Sequence, residues 1–136
     1  MESEETLSVI LFSGTDDRLS SAAILTVGAA AMGRRVDILL QYWALRAFRA
    51  GDLYTDHGVA PEAGKAASAV REEKAAGTHW SDLFAQAKSV GEVTINACAH
   101  SMEIFGIDEK ELDALVDGVQ GIAAFLSTAS GPIVFI

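Results

Sequence analysis

The residues of this chain whose types and spacing suggest chemistry are Cys98, His100 and Ser101. Cys98 is the only cysteine, and it separates a short apolar run, Val93 to Ala97, from a helical pattern, Ser101 to Phe105. A thiol between a strand and a helix lies at the sheet edge where ligands of open α/β folds bind. Because backbone N–H groups and the helix dipole favour an anion there, we expect Cys98 to be a thiolate nucleophile.

Each of these residues also has a simpler interpretation. Cysteine is among the most buried residue types, so Cys98 is alternatively a small core residue. His100 either stabilises the thiolate and moves a proton, or is an ordinary exposed helix residue. Ser101 either belongs to the site or caps its own helix. A serine–histidine–acid triad is not expected, since the chain has no G-x-S-x-G elbow.

Two other segments are expected to end at the same sheet edge. The polar segment Ser13-Gly14-Thr15-Asp16-Asp17 follows the first predicted strand, and Tyr42-Trp43 follows the second predicted strand. We therefore predict that Gly14, Asp16, Tyr42 and Trp43 wall the Cys98 site. The aspartate would accept a proton, orient a partner, or only cap the following helix. The turn lacks both phosphate-binding glycine motifs, so no cofactor is expected.

Charge and composition narrow the function classes. The formal net charge is −9 over 136 residues, which argues against a nucleic-acid binder because phosphate neutralisation needs a basic face. His57, His79, His100 and Cys98 do not stand at metal-ligand spacing, so no metal site is expected. No apolar run approaches the roughly 20 residues that span a bilayer. The acidic amino terminus and lone cysteine favour the cytoplasm.

Apolar runs alternate with helical patterns along the chain. This alternation predicts a single α/β domain, residues 1–136, with a mostly parallel sheet of about five strands and right-handed crossovers. The predicted strands are Leu7–Phe12, Val36–Leu40, Val93–Ala97, Asp117–Val119 and Pro132–Ile136. The predicted helices are Asp17 to about Met32, Tyr42–Phe48 (helix or turn), Trp80–Lys88 capped by Thr78, Ser101–Phe105, Glu109–Leu115 capped by Asp108, and Ile122–Ala129.

Two features suggest contacts beyond this core. The segment Gly51 to Gly77 is irregular, although Lys65–Ala76 favours helix, and we expect an insertion, a lid or a mobile arm. The first helix is rich in small residues, which allow close packing against the sheet or a neighbouring subunit: Ala22, Ala23, Gly28, Ala29, Ala30 and Ala31. With half of the residues hydrophobic, the chain is expected to form an oligomer.

Three segments together carry a family resemblance. They are Leu11-Phe12-Ser13-Gly14 with Ala31-Met32-Gly33 and Tyr42-Trp43; the stretch Ala97 to Ile107; and Asp117-Gly118-Val119 with Gly121-Ile122-Ala123. The chain resembles the DsrE/DsrF-like sulfur-relay family, in the DsrE-related branch often labelled peroxiredoxin-like. His100 departs from the methionine frequent in that branch. The peroxidatic Pro-x-x-x-Thr-x-x-Cys pattern does not precede Cys98.

The resemblance implies a fold and a function. The fold would be a three-layer α/β/α sandwich with a five-stranded parallel sheet, assembled as a homotrimer or hexamer. Cys98 would carry a persulfide received from a sulfur-donor protein and passed to an acceptor protein. The alternatives are a non-catalytic module that binds a small ligand or a protein, with Cys98 structural, and a one-cysteine peroxide-reducing enzyme. A single cysteine cannot serve as an intramolecular dithiol oxidoreductase.

Overall fold

Five short strands form one parallel sheet in the computed structural model, which describes residues 6–76 and 79–136. The strands are β1 (Leu7–Leu11), β2 (Val36–Leu40), β3 (Val93–Cys98), β4 (Gly118–Gln120) and β5 (Ile133–Phe135). Their order across the sheet is β4-β3-β2-β1-β5, and every neighbouring pair is parallel. The predicted five-stranded parallel sheet is therefore confirmed.

Helices connect the strands, as the alternating pattern predicts. In the described residues they are α1 (Asp16–Ala31), α2 (Tyr42–Ala47), α3 (Ala67–Ala75), α4 (Trp80–Val90), α5 (Ala99–Phe105) and α6 (Ile122–Thr128), with 3₁₀ turns at Pro61–Ala66 and Glu109–Glu111. Gly33 takes a positive φ of 81° directly after the α1 C-cap residue, Met32. A glycine at this position ends a helix without steric cost.

The sheet has two unlike faces because side chains alternate along each strand. Val9, Ile38 and Ile95 point to one face, where α1, α2 and α4 supply the main core. Leu39 and Cys98 point to the other face, where they cluster with Phe125 of α6. The connections from β1 to β2, β3 and β4 all move across the sheet in the same direction, whereas the connection from β4 to β5 crosses the sheet in the opposite direction. Right-handed crossovers therefore place α6 opposite the other helices and complete a three-layer α/β/α sandwich.

The small residues of α1 are used for packing within the chain. Ala22, Ala23, Ala29 and Ala30 are buried, and α1 packs along α4. A Cβ atom built on Gly91, after α4, would lie 2.9 Å from the Ala30 Cβ, closer than side chains pack. The buried small residues thus serve a contact inside the chain, and the oligomer stays a prediction.

The helix predicted over Glu109–Leu115 is wrong beyond its first turn. Asp108 does form the predicted cap, as part of a capping box with Glu111, but only a 3₁₀ turn follows. The chain then pairs with the end of α2: the Ala50 N–H donates to the Glu111 carbonyl and the Asp113 N–H to the Phe48 carbonyl. These long-range hydrogen bonds hold the backbone at Leu112 in an extended conformation. Tertiary contacts therefore override the local preference for helix.

The amino end of α4 is capped by a buried histidine. Thr78, the predicted cap, lies outside the described residues, and the N-cap residue is His79. The His79 Nδ1 accepts the Ser81 backbone N–H at 3.0 Å and lies 2.7 Å from the Ser81 hydroxyl oxygen. Only the unprotonated Nδ1 can accept this bond. Burial lowers the pKa of His79, and the positive charge of Lys74 lowers it further.

We predict that His79 makes folding stability depend on pH. Its pKa in the folded chain lies below the unfolded value of about 6.5, so the unfolded state takes up the proton first. The free energy of unfolding should fall as pH drops below about 6.5, by up to about 1.4 kcal/mol per pH unit, and level off below the folded pKa. Urea denaturation at stepped pH values measures this slope.

His79→Asn is the matched control, because asparagine also caps helices but does not titrate. The variant should lose the part of the slope that begins as pH falls below about 6.5. If wild type and variant give parallel profiles over that range, His79 is not the titrating group.

Candidate functional site

Cys98 lies at the junction that the sequence predicts. It is the last residue of β3 and the N-cap residue of α5. Its side chain points to the α6 face of the sheet, against Leu39 and Phe125, and the residue is only 3% exposed. The thiol therefore combines the position expected of a nucleophile with the burial expected of a core residue.

Gln41 is the polar neighbour of the thiol. Its side-chain Nε2 lies 4.0 Å from the Cys98 Sγ, at the limit for a hydrogen bond donated to sulfur. Sequence reasoning missed this residue. The available signal was alternation: Gln41 comes two positions after Leu39 at the end of β2, so both side chains point to the face that carries Cys98.

Ser101 does not cap its own helix. Its hydroxyl is buried, and the oxygen accepts the backbone N–H of Tyr42 at 3.0 Å. Tyr42 has a φ of 45°, and among the described residues it is the one non-glycine residue in the left-handed region. Backbone in that region costs free energy in a residue with a Cβ, so the turn needs support from its surroundings. Ser101 provides that support from α5.

Gly14 and Trp43 bring two loops into direct contact. A Cβ atom built on Gly14 would lie 2.5 Å from the Trp43 carbonyl oxygen, so only glycine fits there. A row of aromatic rings crosses the same sheet edge, with Phe12 beside Tyr42 and Phe105 beside both Tyr42 and Trp43. The structure thus brings Gly14, Tyr42 and Trp43 together at this edge, and Trp43 is 48% exposed. That they wall the Cys98 site stays a prediction.

Asp16 does not act as a helix cap. The N-cap residue of α1 is Thr15, without a side-chain capping bond. The buried Asp16 carboxylate instead accepts the Trp80 Nε1–H at 3.0 Å, the Lys74 ammonium at 3.1 Å and the His57 backbone N–H at 3.2 Å. These donors come from distant parts of the chain, so the carboxylate joins the segment after α2 to α1 and α4.

The irregular segment is therefore held on the α1 and α4 side. The Asp17 carboxylate accepts the Ala60 N–H at 3.1 Å, and the helical preference over Lys65–Ala76 appears as α3 after a 3₁₀ turn. Cys98 lies on the opposite face of the sheet, so the described part of the segment, residues 51–76, does not cover the thiol. Gly77 lies outside the described residues.

His100 is exposed on α5. Among the described residues, its imidazole has no hydrogen-bond partner or ion pair, and it does not contact the Cys98 thiol. The structure therefore places His100 as an ordinary surface residue of the helix, which was one of its two predicted interpretations.

A polar cleft that sequence reasoning missed lies beside α2. It has a volume of about 330 Å³ and is lined by Trp43, Arg46, Ala47, Arg49, Asp52, Thr55 and His57. Trp43 was expected at this sheet edge, but the other residues come from a helix face and the following loop. Only the fold of that loop brings them together.

Two further classes of site were sought in residues 6–76 and 79–136. No group of three His, Cys, Asp or Glu side chains converges in a way that could hold a metal ion. None of the described helices combines the length and the apolar character needed to cross a membrane.

The comparisons with known proteins bear on the fold. No family model matches the chain, and no curated protein matches it. A solved structure of a protein of unknown function from Methanobacterium thermoautotrophicum is similar, with a TM-score of 0.64 and 14% sequence identity. The match covers 98% of this chain and 100% of that one. At this level of identity the similarity shows a shared α/β fold.

We predict that Gly14→Ala destabilises the protein. The added methyl group would meet the backbone of Trp43, so the two loops must separate, at a cost of about 1–3 kcal/mol. Gly28→Ala is the control, since a Cβ there meets nothing within 4 Å and the residue is inside α1. This change should stabilise the protein by about 0.5–1 kcal/mol. Urea denaturation of both variants checks the opposite signs, and equal effects would contradict the close approach.

Proposed function

We propose that this chain is a cytoplasmic sulfur carrier, which holds a persulfide on Cys98 and passes the outer sulfur to an acceptor thiol. The observation that carries the proposal is the place of Cys98, at the carboxyl end of a central strand and the N-cap of α5. The resemblance to sulfur-relay proteins falls on this same residue.

The surroundings of the thiol suit a sulfur anion. Free backbone N–H groups in the first turn of a helix favour negative charge at the N-cap. The Gln41 amide at 4.0 Å adds a donor that is neutral and cannot itself react with a persulfide. The apolar cover by Leu39 and Phe125 opposes the charged form of the thiol, and in this proposal it shields a bound persulfide from thiols in solution.

Transfer then takes two balanced steps. The Cys98 thiolate attacks the outer sulfur of a donor persulfide, R–S–SH, and breaks its S–S bond, which forms Cys98–S–SH and releases the donor as a thiolate. An acceptor thiolate next attacks the outer sulfur of Cys98–S–SH, takes it as a new persulfide, and returns Cys98 as a thiolate. No net electrons and no external oxidant are needed, because sulfane sulfur only changes its carrier.

Access to the thiol requires a movement of α6. Phe125 covers Cys98 and is 2% exposed, but it is the one buried residue of that seven-residue helix. A short helix with a single anchoring side chain opens more readily than the core helices. In this proposal α6 opens transiently without a partner, which admits small reagents, and docking of the donor or acceptor protein stabilises the open form.

The same face supports an oligomer in this proposal. Ile122 and Leu126 of α6 and Ile133 and Phe135 of β5 are between 41% and 64% exposed. Apolar side chains grouped in this way favour a protein interface. A trimer or hexamer would cover them, and the approach of sulfur partners would compete with or use that surface.

The burial of Cys98 favours one other candidate. A thiol that is 3% exposed, in a cluster with Leu39 and Phe125, also fits a structural core residue. The chain would then be a binding module for a small ligand or protein, and Cys98 would only fill space.

We predict that intact-protein mass spectrometry after incubation with polysulfide shows a gain of one sulfur atom. The gain should be absent in Cys98→Ser and should be reversed by a reducing thiol, as expected for an accessible nucleophilic thiol. The unfolded wild-type chain serves as a positive control for the reagent. A folded protein that gains no sulfur, while the unfolded chain does, overturns the sulfur-carrier proposal and leaves the binding module.

We predict that Phe125 controls access to the thiol. Phe125→Leu should shorten the cover over Cys98 and raise the alkylation rate of the native protein severalfold, because the α6 contact is weakened. Ser127→Ala, at an exposed polar position of α6, is the control and should leave the rate unchanged. Equal rates in wild type and Phe125→Leu would show that α6 does not gate the thiol.

A further inference from the structure

We propose that the cleft beside α2 is a binding site for a small ligand that bears a carboxylate or another oxyanion, with Arg46 as its main contact. This site is separate from the Cys98 thiol, and the inference does not depend on the sulfur-carrier proposal. It rests on the charge, the pairing and the rigidity of the residues that line the cleft.

The charge of the cleft runs against that of the whole chain. The protein carries a formal net charge of −9, yet the lining has two arginines, Arg46 and Arg49, against one carboxylate, Asp52. A local excess of positive charge in a concave site attracts anions from solution. The acidic remainder of the surface repels them, so the cleft is a distinct target for an anion.

The ion pairs leave Arg46 available. The Asp52 carboxylate is already used by Arg49, with Nη2 at 2.9 Å and Nε at 3.0 Å from the same oxygen. Arg46 makes no ion pair with any carboxylate in the described part of the chain. Its guanidinium carbon lies 5.5 Å from the centre of the Phe105 ring.

This contact positions the guanidinium without consuming its donors. The ring attracts the cation, and in the described part of the chain no acceptor takes the Arg46 side-chain N–H groups. The Arg46 donors therefore stay free for a planar or tetrahedral oxyanion, which arginine binds with two parallel hydrogen bonds. Arg46 is exposed to solvent on the cleft side of α2, so a ligand can reach it.

The opposite wall is held in place before any ligand binds. The Asp52 carbonyl oxygen accepts the Thr55 hydroxyl at 2.8 Å and lies 2.8 Å from the His57 Nε2. A carbonyl oxygen only accepts, so the His57 Nε2 carries a hydrogen and donates it. The His57 backbone N–H is fixed by the buried Asp16 carboxylate. A wall ordered in advance lowers the entropy cost of binding.

The size of the cleft limits the ligand. A volume of about 330 Å³ is at the lower end of the range of about 300–1,000 Å³ for small-molecule sites. The half-exposed indole of Trp43 forms one side. The cleft therefore fits a small carboxylate, a phosphate or a sulfur oxyanion, whose shared feature is the oxyanion that Arg46 would bind.

Titration of the full chain at low ionic strength tests the site, with citrate, phosphate and thiosulfate as separate probes. Calorimetry gives affinity and stoichiometry, and tryptophan fluorescence locates the change, because Trp43 is 48% exposed in the cleft and Trp80 is 1% exposed. We expect saturable binding of at least one probe, one per chain, with a fluorescence change. The preferred probe identifies which class of oxyanion the cleft takes.

Two arginine variants of equal charge decide the location. Arg46→Gln keeps most of the side-chain volume and should weaken binding by about tenfold or more, as expected for a lost charged hydrogen bond. Arg35→Gln removes a charge at the amino end of β2, where Arg35 pairs with Asp37, and should leave the affinity unchanged. Equal weakening in both variants, or no saturable binding of any probe by wild type, overturns the proposal.

Cys98→Ser separates this inference from the sulfur-carrier function. The variant should bind the probe anion as wild type does, even though it cannot carry a persulfide. Loss of anion binding in Cys98→Ser would contradict a site that is independent of the thiol. Circular dichroism melting of each variant confirms that it remains folded, so a change in affinity is not a loss of structure.

Discussion

The turn between β2 and α2 is the constraint on which both candidate sites depend. Within three residues the chain presents the Gln41 amide to Cys98, donates the Tyr42 N–H to Ser101 and places the Trp43 carbonyl against Gly14. The left-handed backbone of Tyr42 makes this sharp change of direction possible. It also sets the direction in which α2 leaves the sheet, and α2 carries one wall of the polar cleft.

The buried carboxylate of Asp16 has a comparable role on the other side of the cleft. A carboxylate in a core is tolerated when several donors replace its water, and Asp16 receives them from Trp80, Lys74 and His57. These bonds hold a segment that buries few side chains of its own, since α3 has no buried residue. The segment's position against α1 and α4 depends on these polar bonds together with the burial of Leu53 and Ala60.

The two faces of the sheet differ in how well they are covered, and the difference bears on function. Three crossovers in one direction place most helices on one face, so the thiol of Cys98, on the other, is covered by the short α6. The well-packed face holds most of the core, and in the sulfur-carrier proposal the thinly covered face is the one that opens. A reactive thiol needs both a stable strand to position it and a cover that can move.

The sequence by itself determined the alternation of strands and helices, and with it the parallel sheet and the place of Cys98 at the end of β3. It also indicated that Gly14, Tyr42 and Trp43 share an edge, because strand ends meet there in any parallel sheet. These predictions follow from the spacing of apolar residues, which repeats every two residues in a strand and every three to four in a helix and can be read from the sequence.

The tertiary structure alone decided the contacts between residues far apart in the chain. Asp16 and Ser101 each have a local capping role open to them, and both instead accept donors that lie 41 to 64 positions away. The helix after Asp108 is cut short because the chain pairs with residues near 50. Arg46 of α2 meets Phe105 of α5 only because the two helices pack side by side. Such contacts depend on how the elements pack, and no local pattern records which distant donor a side chain will meet.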